Sequence, residues 1–170
     1  MPTPSLVCID SQSIKLSPMI CEERGLDPNK RVNGRKRQFV VDTEGRLLVA
    51  YVHAANEADG PAGCTLVSNI LWRVGERLEK VMGDQAYNGV FAKALAQWSR
   101  FAGAIDFEKA SRPESAQGFV PVAKRWVVER SISWTNFYRR IVKDYEYTVS
   151  SSASWLYLAN IQIMLQRIGN

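Results

Sequence analysis

The sequence is poor in the residues that build metal and redox centres. Three cysteines, Cys8, Cys21 and Cys64, and one histidine, His53, are scattered over 170 residues. No C-x-x-C pair occurs, so nothing in the spacing supports a structural zinc site, and an odd number of thiols gives no disulfide framework. Reduced thiols, as in a cytosolic protein, are the expectation. A signal peptide is missing, and so is any apolar run long enough to span a bilayer, so no membrane partner is expected. There is no internal repeat, no low-complexity tract and no linker that would split the chain. Residues 1–170 are therefore expected to form a single domain with a substantial core.

What the sequence does have is an excess of basic residues in two places. Lys plus Arg number 22 against 17 acids, a net charge of +5. That is a mild pointer to an anionic partner. Placement says more. Lys30, Arg31, Arg35, Lys36 and Arg37 form one cluster, and Lys124, Arg125, Arg130, Arg139, Arg140 and Lys143 another. Half of the basic residues thus lie in two short stretches. A solvated loop is the ordinary fate of the first cluster; phosphate binding is the alternative.

Local patterns set out the elements. SLVCI, residues 5–9, reads as a buried strand ending at Asp10. Residues 11–36 contain SQS, Pro18, Gly25 and Pro28 and read as a loop. RQFVVDT and RLLVAYVH are β-rich runs joined through Glu44-Gly45, a hairpin in which glycine supplies the turn. From about Pro61 to Lys80, Leu66, Val67, Ile70, Leu71 and Val74 recur at helical spacing, with Pro61 near the first turn. KVMGD is a short strand ending at Asp84. A helix is expected from about Gly89 to Phe101 and a fifth strand over 104–110, followed by a loop over 111–118. A last helix, 153–168, follows serine cap candidates at 150–152 and is apolar nearly all round, so it should be largely buried. The order predicts an α/β fold with one mixed five-stranded sheet and helices on its faces.

Between these last elements, residues 124–146 read as one long helix. Trp126, Val127, Trp134, Phe137, Tyr138, Ile141 and Tyr145 fall on one arc. Glu129 lies on the polar side, with Arg125 four residues before it and Ser133, Asn136 and Arg140 alongside. By itself that is an ion pair on a solvated face. Asp10 and Asp84 change the weighting. Each ends a strand, and if the two strands are parallel neighbours their C-terminal ends lie side by side, where open α/β sheets place their sites. Two aspartates with a glutamate brought in by a helix would repel one another without cations. Mg²⁺ prefers such oxygen ligands, and two ions about 3.5–4 Å apart can clamp a phosphodiester. The plainer alternatives are that Asp10 caps a turn with Ser11 or Ser13, and that Asp84 is a turn residue before Gly89.

On these stretches the sequence resembles a known family. IDSQSIK around Asp10, NGRKRQFVVDTEGRLLVAYVHAANEAD, GDQAYNG around Asp84, GFVPVAKRWVVERSISWTNFYRRIVKDYE around Glu129, and SWLYLANIQIMLQRI are similar to the catalytic part of bacterial insertion-sequence transposases of the DDE type, in the insertion-sequence-4/5 group. The resemblance implies an RNase H-like fold, with Asp10, Asp84 and Glu129 as an acidic triad holding two Mg²⁺ ions, for which Mn²⁺ can substitute. It implies cleavage at transposon ends to free a 3′ hydroxyl, then attack of that hydroxyl on target DNA, in the bacterial cytoplasm. Lys30, Arg31, Arg35, Lys36, Arg37, Lys124, Arg125, Arg139, Arg140 and Lys143 would then contact DNA; a non-catalytic DNA-binding remnant is the alternative function. Two features depart from the family. Some relatives carry a Tyr three residues before the Arg matched by Arg125 and a Lys seven after the Glu; here these are Val122 and Asn136. Relatives also have an N-terminal helical segment ahead of the first catalytic strand, whereas here that strand starts almost at Met1. The expectation is a chain that works with an upstream reading-frame product or by self-association, or a decayed fragment.

Overall fold

The computed structural model describes residues 3–99, 104–110 and 126–168. The elements are β1 (Leu6–Lys15), β2 (Gly25–Asp27), β3 (Val32–Asp42), β4 (Leu47–Ala54), α1 (Asp59–Val74), β5 (Lys80–Gly83), α2 (Val90–Ser99), β6 (Asp106–Lys109), α3 (Trp126–Thr135) and α4 (Val149–Ile168). A single 3-10 turn, Gln85–Tyr87, follows β5.

All six strands form one sheet in the order β2-β3-β1-β5-β6, with β4 also paired to β3. β1 and β3 are antiparallel, and Asp10 stands opposite Phe39. β1 and β5 are parallel, through Leu6↔Lys80, Val7↔Val81 and Cys8↔Met82. β6 extends the parallel half beside β5. The predicted hairpin is β3–β4. Its turn needs Gly45, whose φ is +86°, and the Asp42 carboxylate closes it by accepting the Glu44 and Arg46 amides, both at 2.9 Å.

Strand alternation divides the core in two. Val7, Ile9, Val40 and Val81 face α1 and α2, where Leu66, Val67, Ile70, Phe91 and Leu95 complete one cluster. Cys8, Phe39, Val41 and Met82 face α3 and α4, packing on Val127, Val128, Leu156 and Ala159. Burial of each large side chain contributes about 1.5–3 kcal/mol. Helices therefore cover both faces, as expected.

Four expectations are corrected. Among the described residues the sheet has six strands, not five, because β2 pairs with the start of β3. Residues 11–36 are not all loop: β1 runs on to Lys15 and β3 begins at Val32. The helix expected over 124–146 ends at Thr135, whose hydroxyl bonds back to the Ile132 carbonyl at 2.7 Å, and the chain continues in tight turns such as Tyr138 N to Thr135 O at 3.1 Å. Of the predicted apolar arc, Val127 and Ile141 are buried, whereas Phe137 is 84% exposed. Finally, α4 is buried along one stripe only, Ser152, Leu156, Ala159 and Asn160, and Leu158, Ile161, Leu165 and Ile168 stay exposed. It starts four residues before Ala153, capped by the Thr148 hydroxyl, which accepts from Ser151 N at 3.1 Å. The serines lie inside it.

What turns the chain after α3 is a buried charge. Asp144 is fully buried and its backbone bridges the end of β1, donating to Lys15 O at 2.9 Å and accepting from Ser17 N at 2.8 Å. Its carboxylate accepts from the Ser152 hydroxyl of α4 at 2.6 Å and lies 3.5 Å from Arg35 Nη1 and 3.6 Å from Arg37 Nη2. This ties β1, β3 and α4 together.

Candidate active site

Asp10 alternates with Cys8 on the sheet face that α3 covers. One residue pair further along, Gln12 Nε2 donates to Asn136 Oδ1 at 3.2 Å just past the end of α3. Asp10 is half-buried and accepts the Ser11 amide at 2.7 Å. The β1–β5 ladder stops at Cys8↔Met82. The same register carried two steps further sets Asp10 opposite Asp84, and neighbouring strands lie about 4.8 Å apart. Asp84 caps the 3-10 turn, accepting from Ala86 N at 2.9 Å. Asp84 thus takes part in a local cap, as the plainer reading held, whereas Asp10 sits inside β1, just past the point where that strand stops pairing with β5, and Asp84 directly follows β5.

Glu129 is on the first turn of α3, exposed, with its carbonyl accepting from the Ser133 hydroxyl at 2.9 Å. The helix that carries it packs over β1 and β3. Among the described residues, no three His, Cys, Asp or Glu side chains gather closely enough to hold a metal ion. The donor chemistry still suits a hard divalent ion, since carboxylates are carried by neighbouring parallel strands with a third on the helix above the same face.

A buried polar network lies behind the aspartates, and sequence reading missed it. The Tyr87 hydroxyl donates to Gln38 Oε1, beside the Ser11 side chain. Gln38 Nε2 donates to Asp59 Oδ1 at 3.1 Å and lies 3.1 Å from His53 Nε2. Burial holds the His53 imidazole below its ordinary pKa. Nδ1 stands 2.9 Å from the Ala54 carbonyl, so the neutral ring donates there and accepts from Gln38 at Nε2. Burial, with the carboxylates of Asp59, Asp10 and Asp84 around it, pushes the Tyr87 hydroxyl well above its ordinary pKa, so it stays protonated. The available signal was a glutamine inside the apolar run RQFVVD.

The basic residues sort into two kinds. Arg35, Lys36 and Arg37 are buried and engaged, which corrects the reading of residues 30–37 as one exposed cluster. Arg35 donates to Glu146 O at 2.7 Å and Tyr147 O at 2.9 Å, Arg37 to Ile141 O at 2.7 Å, and Lys36 to Glu57 O at 2.8 Å. Burial, opposed by Asp144, lowers the Arg37 pKa to about 10. Lys30, Arg31, Arg139 and Arg140 are exposed and Lys143 partly so. Arg140 pairs with Glu146 at 2.8 Å and stacks on Trp155 at 4.9 Å; Lys143 lies over Tyr145 at 5.3 Å. Arg130 is sandwiched between Trp126 and Trp134, 4.4 Å from each ring. Lys124, Arg125 and Val122 lie outside the described residues.

The order of strands, with one carboxylate in β1, a second directly after β5 and a third on a late helix, is that of an RNase H-like core. Solved structures bear this out. The catalytic core domain of BIV integrase superposes with a TM-score of 0.55 at 16% identity, over 93% of this chain and 82% of that one. The piggyBac transposase in a synaptic complex with hairpin DNA superposes with a TM-score of 0.56 at 12% identity, over 94% of this chain and 46% of that one. At these identities the likeness is one of fold. No curated protein sequence matches significantly. Residues 1–163 match the transposase DDE domain, and the chain belongs to that family. It is a transposase catalytic domain, an enzyme of phosphoryl transfer, in a family that generally uses divalent metal ions. No helix among the described residues is long and apolar enough to cross a membrane.

Proposed function

We propose that Asp10, Asp84 and Glu129 are the catalytic acids of this transposase, that together they hold two Mg²⁺ ions, with Mn²⁺ able to substitute, and that the domain belongs to an insertion sequence of the 4/5 type. The observation that carries the reading is the β1–β5 register, which directs Asp10 and Asp84 to one edge beneath the helix that bears Glu129. Bound there, the ions would polarise the scissile phosphate and lower the pKa of the attacking water or 3′ hydroxyl. The chain's own part is to set the geometry. Asp10 and Asp84 are anchored by the Ser11 and Ala86 amides, and Glu129 is carried by the helix packed over β1 and β3.

The DNA substrates would be transposon ends and target, held largely through phosphates. Lys30, Arg31, Arg139 and Lys143 are the cations best placed for that among the described residues, with Arg140 shared with Glu146. Lys124 and Arg125 remain part of the proposal through their nearness in sequence to Glu129. Recognition of the ends would come from a further segment, an upstream reading-frame product or self-association. A Mg²⁺- or Mn²⁺-dependent nicking and strand-transfer assay on DNA bearing the element's ends, with the chain alone and joined to its upstream frame, tests the proposal. Metal-dependent nicking lost in Asp84→Asn supports it; nicking that needs no divalent ion would sink it.

A further inference from the structure

We infer that Tyr87 is a positioning residue, whose hydroxyl holds the turn carrying Asp84 in place against the strand carrying Asp10. The inference rests on the assignment of these two aspartates as metal ligands. The backbone ladder between β1 and β5 ends at Cys8↔Met82, two residues short of the aspartates, so the register aligns them but no main-chain hydrogen bond of that ladder reaches them. Tyr87 spans that gap. It is the last residue of the turn that Asp84 caps, and its amide donates to Asp84 O at 3.2 Å. Its ring is fully buried and stands edge-on to Phe91, with centroids 5.6 Å apart. It also fills the space beside Gly83, where an added Cβ would meet the ring at 3.3 Å.

From there the hydroxyl donates to Gln38, the partner of Ser11 across the β1–β3 ladder, with the Ser11 side chain beside it. Ser11 follows Asp10 and donates its amide to the Asp10 carboxylate at 2.7 Å. One hydroxyl therefore joins the neighbour of Asp10 to the turn of Asp84. Gln38 is in turn held by Asp59 and His53, which fixes its amide orientation, so the anchor is rigid. Groups behind metal ligands of this kind commonly affect metal affinity by 10–100-fold. Tyr87 acts on the two aspartates through the turn and the strand that carry them, so the lower end of that range applies.

The test measures Mn²⁺ binding to the full chain by calorimetry, beside thermal unfolding without metal. Wild type, Asp84→Asn, Tyr87→Phe and Ser11→Ala are compared. Tyr87→Phe removes only the hydroxyl and keeps the ring packing. The expected result is a folded variant that binds Mn²⁺ about tenfold more weakly than wild type, with a smaller loss in Ser11→Ala. Wild-type Mn²⁺ affinity in a folded Tyr87→Phe overturns the inference. If Tyr87→Phe does not fold, Ser11→Ala decides, and unchanged affinity there overturns it. A different result, equal Mn²⁺ binding by wild type and Asp84→Asn, overturns the metal-ligand assignment itself and removes the basis of the inference.

Discussion

Arg35 and Asp144 form an ion pair, 3.5 Å apart, with both side chains wholly removed from solvent. Arg37 joins at 3.6 Å. Such a pair is weak grounds for high stability, because desolvation of the charges offsets their attraction, but breaking it leaves a charge buried alone. Asp144→Ala should therefore destabilise the fold by about 3–5 kcal/mol, read as a lower urea midpoint. A shift below about 0.5 kcal/mol, the size of an ordinary surface substitution, would show that the two arginines have another outlet.

The division between buried and exposed cations makes a second prediction. In DNA binding measured against salt, each lost phosphate contact lowers the slope of log K against log salt by about 0.9. Lys30→Ala, Arg31→Ala and Arg139→Ala should each flatten the slope by up to that amount without altering thermal stability. Arg37→Met should do the reverse and lower the unfolding temperature. Equal effects of all four on the salt slope would contradict the burial of Arg37.

Acid should weaken the fold in two stages. His53 is buried and its folded pKa lies below the unfolded value of about 6.5. The unfolded chain therefore binds a proton that the native one does not, and stability declines as pH falls through about 6.5. Asp27 and Glu146 come next. Burial works to raise the Asp27 pKa, but the Ser13 hydroxyl and the Lys30 and Asn29 amides outweigh it, and the net direction is down. For Glu146, burial is outweighed by Ser151 and Arg140. Their contribution is present above the unfolded carboxylate pKa of about 4 and is lost as pH falls through the lower folded values. Urea unfolding at pH 7.5, 5.5 and 3 should show successive losses, and His53→Gln should remove the first. A flat profile between pH 7.5 and 5.5 would mean that His53 is free to protonate in the folded protein.

Gly45 should tolerate no side chain. Its φ is +86°, and an added Cβ would stand 2.6 Å from the Ser131 hydroxyl of α3, which donates to the Gly45 carbonyl at 2.9 Å. Gly45→Ala should cost about 1–3 kcal/mol and loosen the seat of α3. Wild-type stability in a thermal melt would contradict this turn geometry.

The parts legible in the sequence were those governed by local chemistry. Val-rich runs around Glu44-Gly45 announced the hairpin, and the apolar run ending in Asp84 announced the end of β5, whereas β1 runs on past Asp10 to Lys15. The parts that were not legible depend on distant partners. Arg35 and Arg37 look like a solvated basic run until Asp144, far along the chain, is seen to lie between them. The same aspartate overrides the helical spacing of Phe137, Tyr138 and Ile141, because its bonds to Lys15 and Ser17 require the chain to turn after Thr135. Tyr87 and Gln38 lie in the stretches GDQAYNG and NGRKRQFVVD, but only the fold brings the two side chains together behind Asp10 and Asp84.

The most direct test of the account is metal-dependent nicking of DNA carrying the element's ends by wild type, Asp10→Asn, Asp84→Asn and Glu129→Gln, each checked for wild-type unfolding temperature and DNA affinity. The account predicts nicking by wild type with Mg²⁺ or Mn²⁺ and background levels in all three variants, with DNA affinity kept. Wild-type nicking by any one of them would contradict the assignment of these three acids to one site.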